Sequence, residues 1–244
     1  MKTIRQSNDR IPKLARQKGL IEGIYNYCDL WCERCSFTSK CLIYSFRKDG
    51  AETRRSGLWH YLDNVYDSAM LMINGIMRKM NIRPVSFKDP DQFRKCDPKD
   101  HPLYIKAYDL SSGMLAWLDY YRPGELIFKE KEIYPELKDS NPVLYDALQV
   151  IYFYVFFISI KLYRALSDIN GFDNDEMQAD ANGSAKIALI AIDRMMAAWS
   201  AAMENMKQHE DEILKFLTDL AEIRSLTEDT FPTARDFIRS GFDE

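Results

Sequence analysis

Histidine is almost missing from the chain: His60, His101 and His209 are the only three. No Glu-x-x-His pair occurs, so a ferritin-like di-metal site, which projects such pairs inward from facing helices, is excluded. A G-x-S-x-G elbow and a glycine-rich P-loop are also absent, which removes serine-nucleophile chemistry and P-loop phosphate binding. Glycine and proline number only 10 and 9 in 244 residues. That scarcity argues against strands and tight turns and, with Leu, Ile, Met, Ala and charged residues dominant, favours long helices.

Basic excess is lacking as well. Lysine and arginine total 33 against 37 acidic residues, giving a net charge of −4, and a protein that neutralises DNA phosphates needs the opposite balance. The first residues have neither a continuous apolar core nor a small-residue cleavage site, so no secretory signal is read and a cytoplasmic protein is expected. The most apolar stretch, Val150 to Ile160, falls short of the roughly 20 residues that cross a bilayer. Asp146, Gln149, Lys161 and Arg164 flank it closely, so the expectation is a buried core helix and no membrane span.

What is present is helical periodicity. Six helices are expected, at about 12–37, 51–81, 103–121, 142–169, 184–206 and 210–228. The second carries a stripe of Leu58, Leu62, Val65, Ala69, Met72, Ile76 and Met80. Asn141 or Ser140 can cap the fourth, with Pro142 at its first position. Four prolines between Asn81 and Pro102 make a linker. The fold class is therefore all-α, an up-and-down bundle in one domain over residues 20–244, preceded by a basic arm over 1–19. That arm holds Lys2, Arg5, Arg10, Lys13, Arg16 and Lys18 against Asp9 alone and reads as a solvated lead into the first helix.

Four of the five cysteines, Cys28, Cys32, Cys35 and Cys41, fall in one window, "CDLWCERCSFTSKC". An odd cysteine count in a reducing compartment disfavours stable disulfides. On a helix, Cys28, Cys32 and Cys35 would share one face, as small core residues do. Cys41 lies beyond a polar turn and outside that periodicity, and packing gives no reason for such concentration, so a metal site is the preferred reading. On a straight helix Cys28 and Cys35 would stand about 10 Å apart. Zinc holds its thiolates at about 2.3 Å and usually draws them from two separated knuckles, of which only one is visible. A [4Fe–4S] cube offers four iron corners and suits four cysteines in a short run, with Tyr25, Tyr27, Trp31, Phe37 and Tyr44 as an apolar shell. The expected cofactor is thus [4Fe–4S], with zinc as the alternative.

"CDLWCERC" resembles the radical-SAM enzymes in its C-x3-C-x2-C spacing, which would imply an open iron for S-adenosylmethionine. The chain departs from those enzymes in showing no alternating strands and helices and no glycine-rich SAM-binding strand. "CERCSFTSKC" is similar to the C-x2-C-x5-C element of auxiliary-cluster domains in radical-SAM maturases, over ten residues.

Two further clusters merit placement. His60, Asp63 and Asp67 fall on one face of the second helix, better read as solvated than as ligating. Lys161 and Arg164 punctuate the apolar fourth helix as Lys186, Asp193 and Arg194 punctuate the fifth, so paired charges between the two are expected. With Ser184 at an expected helix start, Lys161, Arg164, Ser184 and Asp193 form a candidate anion or cofactor pocket. The sequence thus favours a metal-binding helical protein with an electron-transfer, redox-sensing or structural role and a redox or protein partner. The alternative is a non-enzymatic scaffold or adaptor whose cysteines hold a structural zinc or fill a core.

Overall fold

The computed structural model of the protein describes residues 19–45, 97–121, 135–171 and 175–243. Among these there are six α-helices and no strand: α1 Pro102–Tyr121, α2 Leu137–Ser140, α3 Pro142–Tyr154, α4 Phe157–Gly171, α5 Asp175–Asn205 and α6 Glu210–Thr230. The all-α bundle expected from composition is the fold found. The chain divides into two compact units, Met1–Pro90 with Arg239–Glu244, and Asp91–Ile238, where the sequence suggested a single domain over 20–244. The expected helix over 51–81, with His60, Asp63 and Asp67, the basic arm and Cys96 lie outside the described residues.

The larger unit is organised around α5, which packs against α3, α4 and α6, while α1 packs on α4 and α6. A helix touched on three sides must be apolar nearly all round, and α5 is: Ala185, Ile187, Ala188, Leu189, Ala191 and Ile192 are all buried. Three of these six are alanine, so neighbouring backbones can approach closely. α6 meets α5 with one stripe, Ile213, Phe216, Leu220, Ile223 and Thr227, at alternating spacings of three and four. Glu210, Asp211 and Glu212 in its first turn face the positive end of the helix dipole. At one end of the unit Trp199, fully buried, sits 4.9 Å from Phe216 and edge-on to Trp117 at 5.4 Å.

α3 begins where its residues require. The Asn141 side chain accepts from the Leu144 amide at 3.1 Å and Pro142 fills the first position, where no amide is needed. The same Asn141 donates to Asn205 Oδ1 at 2.9 Å, tying the start of α3 to the end of α5. Between α3 and α4 the helix is interrupted at Val155 and Phe156, and Ser159 Oγ donates to the Phe156 carbonyl at 3.0 Å, a local bond that competes with the helical ladder. Counted through this interruption, Pro142–Ser167 is 26 residues and long and apolar enough to cross a membrane. The apolar run Val150–Ile160, read as too short by itself, lies within this longer helical stretch. Ile151, Tyr154, Val155, Ile158, Leu162, Ala165 and Leu166 are nevertheless buried within the unit.

The fifth helix was expected to start at Ser184 and begins nine residues earlier, at Asp175. "DEMQADANG" reads as a loop in isolation, but Ala181 and Ala185 bury one face of it and Asp180 pairs with Arg164 on α4. Tertiary contacts override weak local preference there.

Candidate cysteine site

The expected helix over 12–37 is not formed in its described part. Residues 19–28 are turns, Cys32–Arg34 and Thr38–Lys40 are short 3-10 turns, and only 42–45 are helical. The reasons are local. Gly19 and Gly23 take φ +93° and +73°, values that end a right-handed helix. Asp29 Oδ1 then accepts from the Trp31 amide at 3.0 Å, an Asx turn, and Leu30 is driven to φ 63°. A leucine in the left-handed region costs about 1–2 kcal/mol, so surrounding contacts must hold it there. The Ile21 amide donates to the Lys40 carbonyl at 3.0 Å and closes the whole segment into a loop.

This backbone does what a helix could not. Cys28, Cys32, Cys35 and Cys41 all line one narrow, half-open cleft, together with Ile24, Trp31, Phe37, Tyr44 and Phe242. All four are half-buried. Two of the polar contacts at sulfur are defined: the Phe37 amide donates to Cys35 Sγ at 3.4 Å, and the Cys28 thiol donates to the Tyr25 carbonyl at 3.6 Å. Arg34 stacks on the Trp31 ring at 4.1 Å, leaving a cation at the edge of the site. The estimate of about 10 Å between Cys28 and Cys35 assumed a straight helix, and with that helix gone the estimate no longer applies. Among the described residues, no three His, Cys, Asp or Glu side chains are grouped closely enough to hold one metal ion. The four thiols therefore share a cleft without converging on a single point.

The charged residues of the second candidate pocket have these partners. Arg164 forms a two-pronged ion pair with Asp180, with Nη2 at 2.7 Å from Oδ1 and Nε at 3.2 Å from Oδ2. Asp193 instead meets Arg235 at 2.8 Å and Arg224 at 3.3 Å, and Glu228 joins Arg235 at 2.8 Å. Asp180 and Asp193 are thirteen residues apart on one helix, about 20 Å along its axis. Lys161 lies over the Phe157 ring at 5.2 Å. Lys186 donates to the Phe237 carbonyl, and Arg194 to the Tyr154 hydroxyl. Ser184, at 1% exposure, lies inside α5 and not at a helix start, so its backbone amide is not offered to an anion. The expected pairing of Lys161 and Arg164 with Asp193 is replaced by two separate surface networks.

Sequence reasoning missed Asp180, Arg224, Glu228, Arg235 and Phe242. The first was hidden in an apparent loop, the next three are ordinary charges at helical spacing, and Phe242 lies some 200 residues from the cysteines it joins. Asp193 and Glu228 together raise the pKa of Arg235, the hydrogen bond that Arg235 donates to Asp193 being the largest cause. Comparison with protein-family models, with curated proteins and with solved structures finds no match for the chain.

Proposed function

We propose that Cys28, Cys32, Cys35 and Cys41 hold a [4Fe–4S] cluster, and that the protein serves in electron transfer, redox sensing or cluster-dependent structural support. One observation carries the reading: four thiols from the consecutive turns between residues 28 and 41 line a single, largely apolar cleft. Zinc would draw four sulfurs to within about 3.8 Å of one another, given bonds of about 2.3 Å. A [4Fe–4S] cube sets its iron corners apart and takes one thiolate at each, so its four sulfurs need not meet at one point. The Phe37 amide aimed at Cys35 Sγ would offset negative charge on a bound thiolate, and the surrounding Ile24, Trp31, Phe37 and Tyr44 would limit water, two of the means by which a protein tunes a cluster. Four protein ligands leave no iron open to a substrate, so no reaction at the cluster is proposed.

A structural zinc on the same four cysteines is the second reading. Cys32 and Cys35 bracket a 3-10 turn, and the amide two residues beyond Cys35 donates to its sulfur, a compact arrangement that a zinc site can also use. A scaffold or adaptor with unmetallated cysteines is the reading that remains if neither metal binds. In the cluster reading the thiols belong in a reducing compartment, the cytoplasm, and the partner is a protein, since the chain's net charge of −4 does not suit DNA. The apolar α3 and α4 are assigned to the core and not to a membrane, because they supply the surface that packs on α5.

The test is iron, zinc and acid-labile sulfide content, with a visible spectrum, on protein purified without oxygen. About four irons and four sulfides per chain is the expected result; one zinc per chain supports the second reading, and no metal overturns both. Cys41→Ser should remove most of the bound metal, and a variant that keeps full metal content would refute the four-ligand assignment.

A further inference from the structure

The turn Arg239–Asp243 belongs to the same compact unit as the cysteine segment, and its details converge on one side chain. Gly241 has φ +77°, and a Cβ there would lie 3.0 Å from Ile21 Cδ1, 3.1 Å from Ile24 Cδ1 and 3.2 Å from Ile21 Cγ2. Only glycine permits both that conformation and that approach. The next residue, Phe242, stands edge-on to Phe37 at 5.0 Å and lines the cleft beside all four cysteines. Arg239 braces the turn: its guanidinium meets Asp243 at 2.7 and 2.9 Å, its amide donates to the same carboxylate at 3.0 Å, and it lies over the Phe242 ring at 5.0 Å. The amides of Phe242 and Asp243 both donate to the Arg239 carbonyl.

We infer that this turn is a wall of the cysteine site, and that Phe242 is the positioning residue that limits access of water, oxidants and chelators to the four sulfurs. Its consequence for a cluster rests on the reading above, whereas the wall itself can be measured on bare thiols. The braced turn holds an aromatic edge against Phe37 at a cleft otherwise open to solvent, and removal of that ring leaves the sulfurs reachable without any other change in the chain.

The experiment uses the full chain, reduced and treated with chelator, and reads the iodoacetamide alkylation rates of Cys28, Cys32, Cys35 and Cys41 by peptide mass spectrometry, normalised to Cys96. Phe242→Ala should raise the rates on the order of tenfold, since protection by a local contact is lost with that contact. Phe242→Leu should stay near the parent, and Arg239→Gln, which loosens the turn but keeps the ring, should fall between. Unchanged rates in Phe242→Ala, with the helical circular dichroism intact, overturn the wall. Iron and sulfide content measured in parallel separates the two ideas: faster alkylation in a chain that assembles no cluster upholds the wall and refutes the cluster, while a full cluster with unchanged alkylation and iron release refutes the wall alone.

Discussion

The helical unit and the cysteine unit are built by opposite means. Around α5, stability comes from buried area: Trp199, Leu162, Ile192 and Ile213 are wholly inaccessible, and polar groups do little beyond caps and surface pairs. Around the cysteines the described residues bury one large side chain, Ile24, and the backbone runs through turns, three positive-φ glycines and a left-handed leucine. The contrast is between elements placed by packed side chains and a segment whose path, over its described residues, is set by backbone turns.

Chelation is the most direct way to break that contrast. Removing bound metal should loosen the cysteine unit, seen as faster proteolysis between residues 19 and 45, and leave the helical circular dichroism unchanged; a fall in helix content would mean that the two units depend on one metal. Trp199→Ala should do the reverse. It opens a cavity beside Trp117 and Phe216 and should cost about 3–5 kcal/mol in urea unfolding, without changing metal content. Asn141→Ala should cost about 1 kcal/mol, through loss of the cap on α3, and a larger loss would show that the Asn205 contact also counts.

Asp193→Asn should have the smallest effect, below about 1 kcal/mol, because the pair with Arg235 and Arg224 is more than one-third exposed and screened by solvent. The pKa of Arg235 is raised in the folded state. Its contribution is therefore fully present below the unfolded arginine pKa and is lost only as pH rises through the higher folded value. Stability measured between pH 6 and 9 should not move through this group, and a change there that vanishes in Asp193→Asn would contradict the assignment.

Much of the helical unit was legible because its signals are local. Asn141-Pro142 marks a helix start whatever surrounds it, and the apolar spacing in α6 admits one buried face. The start of α5 was not legible, since Asp175 to Gly183 is helical through contacts of Ala181 and Asp180 with elements distant in sequence. In the cysteine window the spacing of Cys28, Cys32 and Cys35 imitates a helical face. Gly23 and Asp29 were the contrary signals, one taking positive φ and the other an Asx turn. Their meaning was outweighed by periodicity. That the four cysteines belong together was readable from their crowding, while the part played by Phe242 was not, because no pattern links residues 200 positions apart.

The contact of Phe37 with Phe242 also sets a clock. At about 5–20 residues per second, the roughly 200 residues between Cys41 and Phe242 take about 10–40 s to synthesise. For that interval the four sulfurs have been made and Phe242 has not, so in the cluster reading a metal delivered to the nascent chain would meet a site without its Phe242 edge, and one delivered to the finished protein would meet the edge in place.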